Sequence, residues 1–191
     1  MLFSSDYIEE PVDARIEITE SEYSVIDETY GNMPVKEEIY SETTEALNNQ
    51  IESITLSDKC YVEPKIKAND DKIKSALKQI DTYTASTVHY LIENTDETLS
   101  SDKILQMITV DDDFSVSINE NKVSEYVQYL ASKYNTYGDV RAFKTSSGDI
   151  VNIGGGDYGW VISKSKEKAQ LLEDIKKGSP TEREPVYEQT A

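Results

Sequence analysis

The sequence predicts an α+β fold built of two small modules, each a mixed or antiparallel sheet with packed helices. Three observations carry this. Short segments alternate polar and apolar residues with period two, as half-buried strands do. Between them lie stretches with apolar residues three and four apart, as on one face of a helix. The order strand, strand, helix, strand also occurs twice, as Tyr23–Ile26, a helix and Ile54–Tyr61, and as Tyr158–Ile162, a helix and Arg183–Tyr187. We read that rhyme as an internal duplication; two ordinary hairpin–helix segments explain it as well.

Taken in order, residues 1–12 read as a disordered acidic lead-in ended by Pro11, residues 13–66 as the first module and residues 67–191 as the second. Ala14–Thr19 and Tyr23–Ile26 alternate and pair as strands. The turn Gly31–Pro34 opens a helix over Val35–Gln50 with Ile39, Thr43, Ala46 and Leu47 on one side, and Ile51–Leu56 alternates again. In the second module Asn69 caps a helix carrying Ile73, Ala76, Leu77 and Ile80. Thr87–Ile92 is strand-like, and Ser100 caps a short helix with Ile104, Leu105 and Ile108. A turn at Asp111–Asp113 leads to a strand over Phe114–Ile118. Asn119 then caps a helix with Val123, Tyr126, Val127, Leu130, Ala131 and Tyr134 on one stripe. Arg141–Ile162 reads as strand, tight turn, strand, glycine corner and third strand. Ser163 caps a last helix with Ala169, Leu172 and Ile175, stopped by Gly178, before the extended run Glu184–Tyr187.

The formal net charge of -18 excludes nucleic acid as a partner, because such binding rests on neutralising phosphates with Lys and Arg. The single cysteine, Cys60, excludes an intramolecular disulfide and any multi-cysteine metal site. No metal or cofactor is expected. The sequence has no run of 18 apolar residues, and its N-terminus lacks the charged and apolar regions of a signal peptide.

Gly154, Gly156 and Gly159 match G-x-G-x-x-G, but that motif holds a pyrophosphate on the helix that follows it directly. Here β-forming residues follow and the helix begins only at Lys164, so the glycines are expected to take positive φ in a corner that turns Tyr158 and Trp160 onto a neighbouring surface. Cys60 and His89 are the only residues available for a thiol–imidazole pair, and each reads better as a core or edge residue. Asp111–Asp113 lacks the spaced acids and glycine of a calcium loop and reads as a solvated turn. The usable clue is aromatic. Tyr158 and Trp160 lie two apart on a predicted strand, hence on one face, with Tyr137 and Arg141 nearby. Aromatics on a sheet stack on sugar faces, and Arg141 or Arg183 is suited to a carboxylate. The competing reading makes Trp160 the core plug of the second module.

The runs Tyr134-Asn-Thr-Tyr-Gly138, Arg141-Ala-Phe-Lys-Thr145 with Gly148, Gly155-Gly-Asp-Tyr-Gly-Trp160 and Arg183-Glu-Pro-Val-Tyr187 resemble, in that order, the region upstream of the catalytic domain in Gram-positive L,D-transpeptidases. The resemblance covers Asp70–Ala191 and continues more weakly through Gly31-Asn32 and Tyr61–Pro64. It implies an α+β peptidoglycan-binding domain of a cell-wall protein outside the membrane, with peptidoglycan stem peptide or glycan as partner. The family's catalytic His-Gly element and Ser-x-Gly-Cys-x-Arg motif are not matched, so no catalytic role carries over to Cys60. The resemblance further implies a C-terminal catalytic domain in the parent chain and a membrane anchor ahead of Met1. A spacer between anchor and catalytic domain, or the same module of a vancomycin-resistance W-type protein, are the alternative expectations.

Overall fold

The computed structural model describes residues 7–92, 95–154 and 156–190; Gly155 and the first half of the expected lead-in lie outside the described residues. The chain divides into two compact units. One holds the described residues up to Glu17 together with Tyr23–Lys74, and the other holds Ile18–Glu22 with Ser75 onward. Among the described residues the first unit mixes a helix with one two-stranded sheet and the second mixes helices with several small sheets, so the α+β class stands.

In the first unit, β1 (Arg15–Ile18) and β2 (Tyr23–Ile26) form a two-stranded sheet, and α1 (Lys36–Asn48) follows. Ile39 and Ala46 are buried on α1, but Leu47, expected on the same stripe, is exposed. The strand expected over Ile51–Leu56 does not form; that segment is irregular, with Ile51 and Ile54 exposed, and it ends in a 3₁₀ turn at Asp58–Cys60. With so small an apolar core, acidic and amide side chains hold the loops. Asp13 accepts from the amides of Lys65 and Ile66, Glu28 accepts from Ala68, and Asn32 joins Glu9 and Tyr7. Buried or half-buried backbone amides need such partners where no ladder supplies them.

α2 (Asp71–Thr84), which belongs to the second unit from Ser75 onward, is capped by Asp70 rather than Asn69: the Asp70 carboxylate accepts from the Lys72 amide at 2.8 Å. Ile73, Ala76 and Ile80 are buried as the periodicity requires. β3 (Val88–Tyr90) is the centre of a three-stranded sheet, antiparallel to β4 (Glu97–Leu99) and parallel to β10 (Thr181–Arg183). The helix capped by Ser100 is the short α3 (Ser101–Leu105); Ile108, expected on it, begins β5 (Ile108–Val110), which hairpins with β6 (Val116–Ile118). Asn119 caps α4 (Glu120–Tyr134), its side chain accepting from the amides of Asn121 and Lys122. α4 packs on α5 (Lys164–Lys177), which Gly178 ends at φ 69°.

The inner face of α5 differs from the expected stripe. Ala169 is exposed and Leu172 half-buried, whereas Leu171, Ile175, Glu167 and Asp174 are buried. The expected third strand begins only at β9 (Val161–Ile162), which pairs with β11 (Tyr187–Gln189), while β7 (Arg141–Lys144) and β8 (Ile150–Ile153) form a separate ribbon. The expected duplication fails for the same reasons: its first copy lacks the closing strand.

Candidate functional site

Two clefts of the second unit collect the chemistry, and one buried ion cluster supports them. The cluster lies where α5 faces β10. Glu167, fully buried, accepts from Arg183 Nη2 at 2.7 Å and Nη1 at 2.9 Å, from the Tyr90 hydroxyl at 2.7 Å and from the Val186 amide at 2.7 Å. Asp174 takes Arg183 Nε at 2.7 Å. Every donor and acceptor finds a partner, the condition under which buried charge is tolerated. Burial, then Glu167, push the Tyr90 phenol well above its ordinary range, keeping it a neutral donor. Arg183, one of the candidate ligand residues, is therefore spent internally; its guanidinium serves the fold.

The second network surrounds Glu97 on β4. Its carboxylate accepts from Lys133 at 2.8 Å, Tyr134 at 2.6 Å, Tyr129 at 3.1 Å and Tyr126 at 3.3 Å. Burial alone would raise its pKa; the donors from Lys133, Tyr134 and Tyr129 outweigh burial and hold it below the usual carboxylate range. This fixes the last two turns of α4, from which Lys133 and Tyr134 reach a cleft.

That cleft, about 290 Å³, is lined by Trp160, Tyr187, Tyr134, Lys133, Glu184 and neighbouring aliphatic and threonine residues. Trp160 is half-buried and meets Tyr187 at 4.8 Å between ring centroids, tilted by 59°. It is thus neither the fully buried core plug nor an open stacking platform, but one wall of a cleft.

Tyr158 goes elsewhere. Gly159, at φ 140°, separates the two aromatics, and they do not share a strand face. The glycine is required twice over: its φ suits few side chains, and a Cβ there would lie 2.4 Å from the Thr136 carbonyl oxygen. The reason for that approach is a zipper of two irregular segments. The Thr136 amide donates to the Trp160 carbonyl, the Trp160 amide to the Thr136 hydroxyl, and the Ile162 amide to the Asn135 side chain. Among the other described glycines of the corner, Gly154 and Gly156 do not take positive φ, so the expected role falls to Gly159 alone. The residues after the corner enter β9 and only then α5, leaving no helix start beside the glycines.

Tyr158, 60% exposed, lies under the guanidinium of Arg141, 4.6 Å from its ring centroid. Strand pairing sets Arg141 opposite Ile153 and Phe143 opposite Val151, so these four share one ribbon face. Of these, Arg141, Phe143 and Ile153 join Tyr158, Asp139 and the glycines Gly138, Gly154 and Gly156 around a groove of about 330 Å³. Tyr137 is exposed near it and its hydroxyl meets Asp157 at 3.4 Å. The structure thus brings Arg141 and Tyr158 together, and sends Trp160 and Arg183 to other surroundings. Sequence reasoning missed Phe143 and Ile153 as groove walls, and Lys133, Glu184 and Tyr187 as cleft walls. The alternation of Phe143 with Arg141 was the available signal for the first pair; nothing local marked the others.

The alternative thiol chemistry finds no support. Cys60 is fully buried, and burial, then Glu42, push its thiol up, opposite to what a nucleophile needs. His89 Nδ1 meets Thr98 at 3.1 Å. Among the described residues no group of three or more His, Cys, Asp or Glu could hold a metal, and no helix is long and apolar enough to cross a membrane.

Comparison with known proteins bears on this arrangement. A family described as "Putative peptidoglycan binding domain" matches residues 66–183. The avibactam carbamoyl enzyme of Ldtfm superposes with a TM-score of 0.52 at 26% identity, over 62% of this chain and 47% of that one. A cysteine-to-serine mutant of Enterococcus faecium L,D-transpeptidase gives 0.51 and 26%, over 61% and 48%. The chain thus spans about half the length of these solved structures. No curated protein matches it significantly. The family match takes in the α2–β10 scaffold, the Arg141 groove and most of the Trp160 cleft, more than half of the sequence, and the chain belongs to this peptidoglycan-binding domain family.

Proposed function

We propose that the chain is the non-catalytic region of an L,D-transpeptidase, acting at the cell wall, that binds peptidoglycan and positions it for a catalytic domain of the parent protein. Residues 67–191 form the binding module in this reading. Its ligand surface is the Arg141–Tyr158 groove. One observation carries it: the Arg141 guanidinium is exposed, stacked on Tyr158, and paired with no carboxylate among the described residues of a chain with 37 acids against 19 bases. Apart from one long hydrogen bond, from Nη2 to the Thr136 hydroxyl at 3.4 Å, the stacked guanidinium keeps its in-plane N–H donors for a ligand, and these match a carboxylate in bidentate geometry. A peptide carboxylate would dock there, with its methyl-bearing or sugar portion against Tyr158, Phe143 and Ile153. The L,D-transpeptidase likeness and the family membership support the same ligand.

The net charge supports a second reading, a spacer that carries no ligand, because an acidic chain is repelled by an anionic wall. Co-sedimentation with insoluble peptidoglycan at moderate salt separates the two. Binding gives retention that Arg141→Ala and Tyr158→Ala each reduce several-fold; a spacer gives no retention of the unmodified chain.

A further inference from the structure

The geometry points to a second ligand site, the Trp160 cleft, built to take a primary alkylammonium group such as a free lysine side chain. It would be independent of the Arg141 groove and of opposite charge preference. The two aromatic walls, Trp160 and Tyr187, present ring surface from two tilted planes. Aromatic faces attract a cation through their quadrupoles, most strongly where water is partly excluded. Glu184 supplies the counter-charge. Its residue is exposed at the cleft, and no cation is paired with its carboxylate among the described residues. The Tyr187 phenol is pushed up first by burial, then by the charges of Glu184 and Glu167.

The two cations nearby do not compete for it. Lys133 is bound to Glu97 at 2.8 Å, and Arg183 to Glu167 and Asp174 at 2.7 Å each; toward Glu184, Arg183 offers a hydrogen bond only to the backbone carbonyl. Their charges are neutralised in place, and among the described lining residues the Glu184 carboxylate is left without a paired cation. A cleft of about 290 Å³ admits an extended four-carbon amine with its ammonium at the Glu184 rim and its methylenes along the rings. A neutral sugar would leave that carboxylate without a partner.

Trp160 is the only tryptophan, so its emission reports the cleft directly. The full chain is titrated with Nα-acetyl-L-lysine amide and with its Nε-acetylated counterpart, which keeps the shape and loses the charge. We expect a saturable change with the amine, weakened at least about tenfold by acetylation. Glu184→Gln should weaken amine binding by about tenfold, while Glu182→Gln, which removes an equal charge outside the cleft, should leave it unchanged. No saturable response, equal response to both probes, undiminished binding by Glu184→Gln, or equal loss in Glu182→Gln would each overturn the proposal. None of these readouts involves the cell wall, so they stand or fall separately from retention on peptidoglycan.

Discussion

Where α5 meets β10, two buried acids, Glu167 and Asp174, are paired with the half-buried Arg183; in the β7–β8 ribbon of the same unit, Phe143, Ile150, Val151 and Ile153 lie open. Burial has been inverted in both places, for different reasons. The ion cluster is satisfied by its own hydrogen bonds and ties α5 to the strand that follows it and, through the Tyr90 hydroxyl, to β3 far away in sequence, so it acts as a specific clamp. Both strands of the ribbon are exposed along their whole length, and on one face Phe143, Val151 and Ile153 lie beside an arginine that pairs with no carboxylate among the described residues, while Ile150 lies on the other face. Buried, paired charge and exposed apolar surface are the two departures from ordinary burial that the contrast sets side by side.

The largest expected effect comes from breaking the clamp. Glu167→Ala leaves the Tyr90 hydroxyl and the Val186 amide without their acceptor and Arg183 with Asp174 as its one remaining carboxylate among the described residues, and should cost about 3–5 kcal/mol in urea unfolding. Loss of less than about 1 kcal/mol would mean the cluster is dispensable. Next, Gly159→Ala forces a side chain at φ 140° against the Thr136 carbonyl and should cost about 1–3 kcal/mol. It should also move the Tyr158 arm and lower retention on peptidoglycan, linking the two regions.

The Glu97 network sets the pH behaviour. Its folded pKa is lowered, so its stabilisation is complete above the unfolded value near about pH 4.3 and disappears as pH falls through the folded value. Lys133 is raised, chiefly by its hydrogen bond to Glu97, and Tyr134 is raised by burial and then by Glu97. Their contributions are complete below the unfolded values, near about pH 10, and are lost as pH climbs above. Thermal melts should show a plateau from about pH 5 to pH 9 that declines on both sides, and Glu97→Gln should flatten the acid limb. The smallest effect is expected on the ribbon: Ile150, 73% exposed, replaced by Thr should change stability by no more than about 0.5 kcal/mol. A larger loss would show that the ribbon face is part of the core.

The same contrast explains what the sequence could tell. Helices α2 and α4 were legible because every buried position on them is apolar or tyrosine at helical spacing. α5 was misread because two of its buried positions are Glu167 and Asp174, which a search for apolar stripes cannot see, and their partner Arg183 lies beyond the helix. β4 and β5 escaped notice as three-residue strands, too short to show alternation, with a buried Glu97 in the first. Ile51–Leu56 looked like a strand by the same local pattern and has no partner to pair with among the described residues. At the candidate site, Arg141 and Tyr158 were legible as residue types close in sequence. That Tyr158 and Trp160 face different clefts was not, since it depends on the φ of Gly159 and the zipper with Asn135–Thr136.

The most direct measurement is amide chemical-shift mapping of the ¹⁵N-labelled chain titrated with a soluble disaccharide–peptide fragment of peptidoglycan. We expect saturable shifts that include Arg141–Lys144, Ile150–Ile153 and Tyr158, reduced in Arg141→Ala, with the buried positions around Glu167 and Asp174 unmoved. Saturable shifts that avoid the ribbon, or no shifts at all, would contradict the account.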